Sequence, residues 1–459
     1  MAIVAKKSAA WSSRSGFLLA TIGGAVGLGN LWRFPYVAGE YGGGGFVIIY
    51  LAFVFFLGIP LIAGEMLLGR RGHRSAVNSM AALVREHDAS PVWKTIGWLS
   101  VLIPFIGFSY YAVIAAWAID YFALAVTNAF AGFDGASSGD TFSARTDRPV
   151  YQAGLHALWL AATVFVVAHG VNKGIERASR VLMPALFVAL LSLVGYGVVA
   201  GDIGRAAEFL FAFKWDELTT ESILVALGQA MFSLGIGVGL MIAFAAYVPQ
   251  EFSLRRSATV ICIADTIVAL LAGFAIFPIV FAASLDPASG PGLIFVTLPV
   301  VFGNMAGGHI FGIVFFALLI FAAFTSTIAM LECVVTYLEE KWPGARKKLS
   351  VFAAVAVWVL GLGSVLSFST WSDMHPLAVF GIERTFFSLA DFTVANVLVP
   401  INAFLIAVFA GWVLRNAVVD EEFSDASPAW KTYWRFANRF LAPVALLLVF
   451  IDLMMGSGH

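Results

Sequence analysis

Charge is scarce in this 459-residue chain: Asp, Glu, Lys and Arg make up 12% of it, against 60% hydrophobic residues. No single water-soluble core can hide that much apolar surface, so the solvent for most of the chain is lipid. The net charge of -1 leaves no electrostatic footprint for nucleic acid or a strongly basic surface partner. Cysteine is almost missing; Cys262 and Cys333 have no metal-like spacing, which excludes a disulfide framework and predicts buried free thiols. The histidines His73, His87, His156, His169, His309, His375 and His459 form no HExxH or other metal spacing, and no Ser/His/Asp set shares a depth. That argues against a membrane enzyme and predicts mostly loop or interface histidines. A cleavable signal peptide is lacking too, since the first apolar run starts after Trp11 without a short apolar region and small-residue cleavage site.

What is there is a series of apolar runs, each near the roughly 20 residues needed to cross a bilayer. They predict an all-helical polytopic membrane protein forming a single transmembrane domain over 1-459. Its eleven spans read 15-38, 44-70, 96-125, 151-169, 176-199, 222-248, 258-283, 309-340, 350-369, 388-415 and 437-456. Placing the short segment 1-14 in the cytoplasm puts Lys6, Lys7 and Arg14 inside, followed by Arg70, Arg71, Arg74, Arg85, Lys94, Lys173, Arg177 and Arg180. Arg255, Arg256, Lys341, Arg346, Lys347, Lys348, Arg415, Lys431, Arg435 and Arg439 fall on the same side. The opposite side keeps only Arg145, Arg148, Arg205, Lys214 and Arg384. Positive charge therefore orients the chain with its N-terminus cytoplasmic and its C-terminus outside a bacterial inner membrane.

Two spans contain their own breaking signal. The first carries Gly23-Gly24-Ala25-Val26-Gly27-Leu28-Gly29-Asn30, and the sixth Ser233-Leu234-Gly235-Ile236-Gly237-Val238-Gly239. Glycine tolerates non-helical torsions, and an unwound stretch frees carbonyls and amides that lipid cannot satisfy. One such run is as consistent with tight helix packing as with a site. Two, five spans apart, predict a 5+5 inverted repeat, 15-199 and 222-415, with the eleventh helix at 437-456 outside it. The interrupted helices then meet at mid-membrane, the arrangement in which half-helix N-termini face an anionic group and carbonyls hold a cation.

Gly24 through Pro35, followed by Gly42-Gly43-Gly44-Gly45, Gly58-Ile59-Pro60, Glu65 and Gly69-Arg70, resembles the neurotransmitter:sodium symporter family, in particular its bacterial amino-acid members with the leucine-transporter fold. The likeness continues through Tyr110-Tyr111, Phe232-Ser233-Leu234 and Thr325-Ser326-Thr327. It implies two sodium sites and no chloride. Ala25, Asn30, Ser233 and Asp265, with the substrate carboxylate, match the first sodium site. Gly23, Val26 and Ala322 carbonyls with the Thr325 and Ser326 hydroxyls match the second. Asp265 stands where chloride-dependent relatives carry asparagine, and Ala269 where they place a chloride-binding serine, so the carboxylate is expected to replace the anion.

The same likeness makes Arg33 and Asp391 an outer gate pair, Tyr111 and Phe232 an aromatic lid, Glu65 a structural partner of the sixth-helix break, and Trp11 and Tyr247 an inner closure. Ser8 departs from the family's usual arginine there, with Lys6 or Lys7 as possible compensation. Gly27 replaces the aspartate of monoamine-type relatives and leaves room for an amino acid's own carboxylate. The first helix, at Ala25, Val26, Gly27, Leu28 and Gly29, with Tyr111 would hold that carboxylate, and the carbonyls of Phe232 and its neighbours, Ser233 among them, the ammonium. Val26, Gly107, Tyr111, Phe232, Gly235, Val238, Ser326 and Met330 would line the side-chain subsite. None of these is charged, so an acidic or basic side chain would be desolvated unpaired; large aliphatic or aromatic amino acids, leucine and tryptophan among them, are expected.

The implied activity is alternating-access, sodium-coupled import, to which a potential of 100 mV contributes about 2.3 kcal/mol per sodium charge moved. A proton-coupled transporter, with Asp265 or Glu65 as carrier, and a non-transporting amino-acid sensor on the same fold are the alternatives. A channel would need a continuous polar pore.

Overall fold

The computed structural model describes residues 11–213, 218–285 and 292–454. Apart from an isolated bridge between Leu377 and Ile382, their regular structure is helical. Among the described residues nine continuous helices are long and apolar enough to cross a bilayer: Gly44–Gly72, Pro91–Val126, Pro149–Val167, Val171–Ala200, Leu254–Ala282, Gly308–Lys341, Arg346–Leu366, Phe386–Val413 and Pro428–Ile451. Large apolar side chains such as Phe56, Phe165, Val188, Val199 and Phe352 point away from the protein and remain exposed, as a lipid-facing belt requires. Cys262 and Cys333 are buried free thiols.

The first span is a bent pair, Arg14–Ala25 and Gly29–Glu40, whose axes differ by 59°. The sixth is also split, into Thr220–Ser233 and Leu240–Ala245. At 1.5 Å per residue its 14-residue half spans only about 21 Å, too short to cross alone. Read as one interrupted crossing, the two halves bring the total to eleven.

Three spans begin five or more residues before the sequence reading has them, the third at Pro91 rather than 96 among them. The fifth span begins at Val171 rather than 176, and the eleventh at Pro428 rather than 437. Lys431 and Arg435 read as loop because they are charged, yet they lie on the helix with Arg439, and all three reach partners beyond it: Lys431 to Asp420 Oδ1 at 3.0 Å, Arg435 to the Leu414 carbonyl at 3.0 Å, Arg439 to the Gly411 carbonyl at 2.5 Å. Long cationic side chains carry their charge away from the backbone that bears them. Connections between spans also contain helices that apolar length alone does not reveal. Gly135–Thr146 is the clearest, capped by Asp134, whose carboxyl is held below its usual range by the Ser137 hydroxyl and amide.

The third and eighth spans pack along each other more extensively than any other pair, and the first span lies against the eighth, fifth and seventh. The second span meets the short second half of the sixth so closely that a Cβ on Gly69 would sit 2.1 Å from the Ile242 carbonyl oxygen. Gly195 on the fifth span faces open space. Gly69→Ala is therefore expected to lower the thermal transition of the detergent-solubilised protein by several degrees. Gly195→Ala, which only restricts the unfolded chain, should leave it unchanged or raise it slightly.

Candidate functional site

Between the two halves of the first span Val26 turns extended, with ψ 112°. The helix is thereby interrupted, and amides beyond the break find side chains in place of carbonyls. The Gly27 amide donates to Asn30 Oδ1 at 3.1 Å and the Leu28 amide to the Tyr111 hydroxyl oxygen at 3.1 Å. In an unbroken helix the Gly27 amide would have gone to the Gly23 carbonyl, which instead faces the Ser326 hydroxyl at 3.5 Å. At the sixth-span break Gly235, Gly237 and Gly239 all have positive φ, at 63°, 85° and 93°. The Gly237 amide donates to Glu65 Oε1 at 2.6 Å, and the Gly237 carbonyl accepts from Asn402 Nδ2 at 2.7 Å.

Three of the side chains matched to the first ion site come together where the two breaks meet. Asn30 Nδ2 donates to Ser233 Oγ at 2.9 Å and to Asp265 Oδ1 at 2.9 Å, and the Ser233 hydroxyl donates to Asp265 Oδ2 at 2.6 Å. Asn30 and Asp265 are fully buried and Ser233 nearly so. Ala25, also buried, ends the first half-helix beside them. This donor set is oxygen-rich and carries a single carboxylate, which suits a hard monovalent cation; among the described residues no group of three or more His, Cys, Asp or Glu converges on a transition-metal site.

The second set converges on the eighth span. Ser326 Oγ lies 3.2 Å from the Val26 carbonyl, 3.5 Å from that of Gly23 and 3.3 Å from that of Ala322, and Thr325 Oγ1 lies 3.0 Å from the same Ala322 carbonyl. Every member is neutral.

Above these groups lies an aromatic layer. A Cβ on Gly27 would fall 2.7 Å from Ser326 Oγ and 2.9 Å from the Tyr111 hydroxyl; one on Gly29 would fall 2.9 Å from the Phe232 ring. Both glycines thus let side chains from other spans sit on the backbone. The Arg33 guanidinium lies over that same Phe232 ring, 4.7 Å from its centroid. Asp391 is close enough to attract Arg33, but among the described residues no ion pair joins them. Beside Tyr111 and Val238, the buried Ile103, Val394 and Val399 form an apolar wall. Gly107 looks onto it, with only Val394 Cγ1 within reach of a Cβ, at 3.8 Å. Met330 lies one turn beyond Ser326 on the same helix and is partly buried.

At the opposite end Trp11 is buried, its indole donating to the Phe244 carbonyl at 3.0 Å and its amide to the Tyr247 carbonyl at 3.4 Å. The Tyr247 hydroxyl reaches Thr336 at 3.2 Å and Glu332 at 3.4 Å; Glu332 is paired with Arg346, which also holds Glu339 at 2.8 Å. Ser8, Lys6 and Lys7 lie outside the described residues.

Sequence reasoning missed Asn402, which also donates to Ser100 Oγ at 3.1 Å, Gln229, which donates to the Gly29 carbonyl at 3.3 Å, and the Ile103 and Val394 wall. Asn402 had a signal: it is a lone amide in an apolar run, and such residues in membranes usually have a partner. The wall had none, since apolar residues fill every span. His156 is an exception to the mostly loop or interface histidines expected, for it is fully buried on the fourth span, 2.3 Å from where a Gly361 Cβ would lie.

With this geometry in view, comparisons with known proteins agree along the whole chain. The sequence profile of the Sodium:neurotransmitter symporter family matches residues 8–137 and 149–457. The uncharacterised sodium-dependent transporter YhdH of Bacillus subtilis (strain 168) is 38% identical, covering 98% of this chain and 98% of its own length. An uncharacterised sodium-dependent transporter of Haemophilus influenzae is 30% identical over 97% of this chain and 98% of its own. The crystal structure of MhsT in complex with L-phenylalanine superposes with a TM-score of 0.88 at 36% identity, covering 97% of this chain and 99% of that one. The protein is a sodium-dependent symporter of leucine-transporter fold and belongs to the sodium:neurotransmitter symporter family.

Proposed function

We propose that this symporter imports a hydrophobic α-amino acid, large aliphatic or aromatic, with two sodium ions and without chloride. On this reading it acts as a transporter with no catalytic chemistry of its own, in a bacterial inner membrane with its N-terminus cytoplasmic. The observation that carries the reading is the joining of Asn30, Ser233 and Asp265 at the break of the first span, where Asn30 also holds the Gly27 amide and the adjoining Leu28 amide meets the Tyr111 hydroxyl. An α-carboxylate placed there would meet the free N-terminal end of a half-helix and, through sodium, the Asp265 cluster. Ala25, Asn30, Ser233 and Asp265 would hold one ion; Gly23, Val26, Ala322, Thr325 and Ser326 the other.

The substrate side chain would occupy the apolar space between Gly107, Val238 and Val394, where nothing is available to pair a charge. MhsT, the structural neighbour, is seen with L-phenylalanine, which favours an aromatic or large aliphatic occupant here. Charge balance is the argument against chloride. Asp265 already supplies one negative charge to the first ion, and a further buried anion would lie unpaired beside it. Tyr111 and Phe232 would close over the bound substrate, with Arg33 and Asp391 drawing together above them.

Uptake of radiolabelled leucine, phenylalanine and tryptophan into proteoliposomes tests this reading. Accumulation should require external sodium, fail with potassium or choline, and persist when chloride is replaced by gluconate. Uptake that follows a proton gradient without sodium would sink it, and binding without accumulation would indicate a sensor. Two sets of variants separate the sites. Asp265→Asn and Ser326→Ala are each expected to raise the sodium concentration for half-maximal uptake by roughly tenfold, about the loss of one charge-assisted contact. Gly107→Leu, whose Cβ would meet only Val394 Cγ1 at 3.8 Å, should fill the side-chain subsite and lower tryptophan uptake relative to alanine by roughly 10- to 100-fold, the range that steric discrimination of apolar groups commands.

A further inference from the structure

The foot of the first span is held by contacts that neither ion set uses. Ser13 caps the helix, its hydroxyl oxygen accepting the Gly16 amide at 3.0 Å. From the first turn of the fifth span the carboxylate of Glu176, almost fully buried, accepts the Ser12 amide at 2.9 Å, the Ser12 hydroxyl at 2.5 Å and the Ser13 hydroxyl at 3.2 Å. Arg180, one turn further on, pairs with the same carboxylate at 2.6 Å and donates to both hydroxyl oxygens, at 3.0 and 2.8 Å. The fit is tight, for a Cβ on Gly16 would lie 2.0 Å from Glu176 Oε1.

A buried carboxylate is tolerated only while its oxygens are paired. Here three of the four donors that reach Glu176 come from Ser12 and Ser13, residues more than 160 positions away in sequence. Were that segment to leave, the carboxylate would have to be rehydrated. A cavity of about 540 Å³, lined by His169, Asn172, Lys173, Glu176, Arg177 and Arg180, opens beside it and gives water access. Ser13 is also the cap of the helix that ends in the Gly23 and Ala25 carbonyls. Over such a short, rigid helix, displacement of the foot displaces the carbonyls of both ion sets.

We propose that Glu176 is a positioning residue of the transport cycle: with Arg180 it latches Ser12 and Ser13, holding the lower half of the first span closed, and this latch is released when that end opens. The contact set joins two elements that must part if the first span swings away from the fifth, and it has a route for water when they do. The proposal rests on the alternating-access symport reading above.

Hydrogen–deuterium exchange of the full chain in lipid nanodiscs tests it, comparing the wild type with Glu176→Gln and with the double variant Ser12→Ala/Ser13→Ala. In the wild type, amides of residues 11–16 should exchange roughly tenfold faster in potassium than in sodium, the order expected for loss of hydrogen bonds to a charged group. Both variants should exchange at the fast rate in either salt, while amides of residues 95–126 in the third span stay as protected as in the wild type. The sodium concentration that half-protects residues 17–25 should rise severalfold in each variant.

The latch is refuted if Glu176→Gln keeps the wild-type difference between sodium and potassium, or if residues 11–16 and 95–126 loosen together, which marks a merely structural anchor. It is also refuted if sodium has no effect on residues 11–16 of the wild type, whatever uptake shows. If the sodium-dependent protection and its loss in the variants are both seen but no amino acid is accumulated, the latch stands and the substrate assignment fails.

Discussion

Everything in this protein's central region follows from the cost of leaving a backbone hydrogen-bonding group unpaired in lipid. A continuous helix satisfies all of its groups internally, and the chain abandons that solution twice, at Val26 to Leu28 and at Leu234 to Gly239. Each interruption frees amides and carbonyls worth several kcal/mol apiece if unmet. Side chains from other spans are recruited to meet them: Asn30 and Tyr111 at the first break, Glu65 and Asn402 at the second, with Ser326 beneath the carbonyls of the first. The breaks therefore act as organisers, drawing the polar residues of spans one, two, three, eight and ten to a single depth.

That recruitment also explains how the cluster proposed to bind a cation serves the structure at the same time. Asn30 receives the Gly27 amide on its oxygen and gives its nitrogen to Ser233 and Asp265, so the residue that repairs the helix break also fixes the orientation of the carboxylate. The Ser326 hydroxyl plays the corresponding part for the carbonyls of Gly23 and Val26. The two sets differ in charge, one holding a buried carboxylate and the other only neutral oxygens. They share the first half of span one, and any displacement of that 12-residue helix is felt by both.

The two ends of the helix pair are built differently. At one end there is an aromatic contact: the Phe232 ring packs close on Gly29 and under Arg33, a contact that needs a missing Cβ on one side and a cation on the other. At the other there is the buried indole of Trp11 on the Phe244 carbonyl together with buried and half-buried charges, Glu176 with Arg180 and Glu332 with Arg346. Breaking a buried ion pair by removing one partner is costly, because it leaves an uncompensated buried charge.

Membrane residence, helical class and the two break points were legible in the sequence because each rests on local composition. Apolar length sets the number of crossings, and glycine clustering within an apolar run marks where a helix is weakest. The residues matched to the ion sets through the family likeness include Asn30, Ser233 and Asp265, which the structure joins by hydrogen bonds, and Thr325 and Ser326, which it sets against the Ala322 carbonyl. Only the tertiary structure placed Asn402 and Gln229 against glycine backbone, extended the eleventh span back through Lys431 and Arg435, and set His156 against Gly361. It alone brought Glu176 to Ser12 and Ser13. The physical reason is the same in each case: a polar side chain in lipid must find a partner, but which partner depends on how the spans pack, and a period of 3.6 residues carries no information about neighbours more than a hundred positions away.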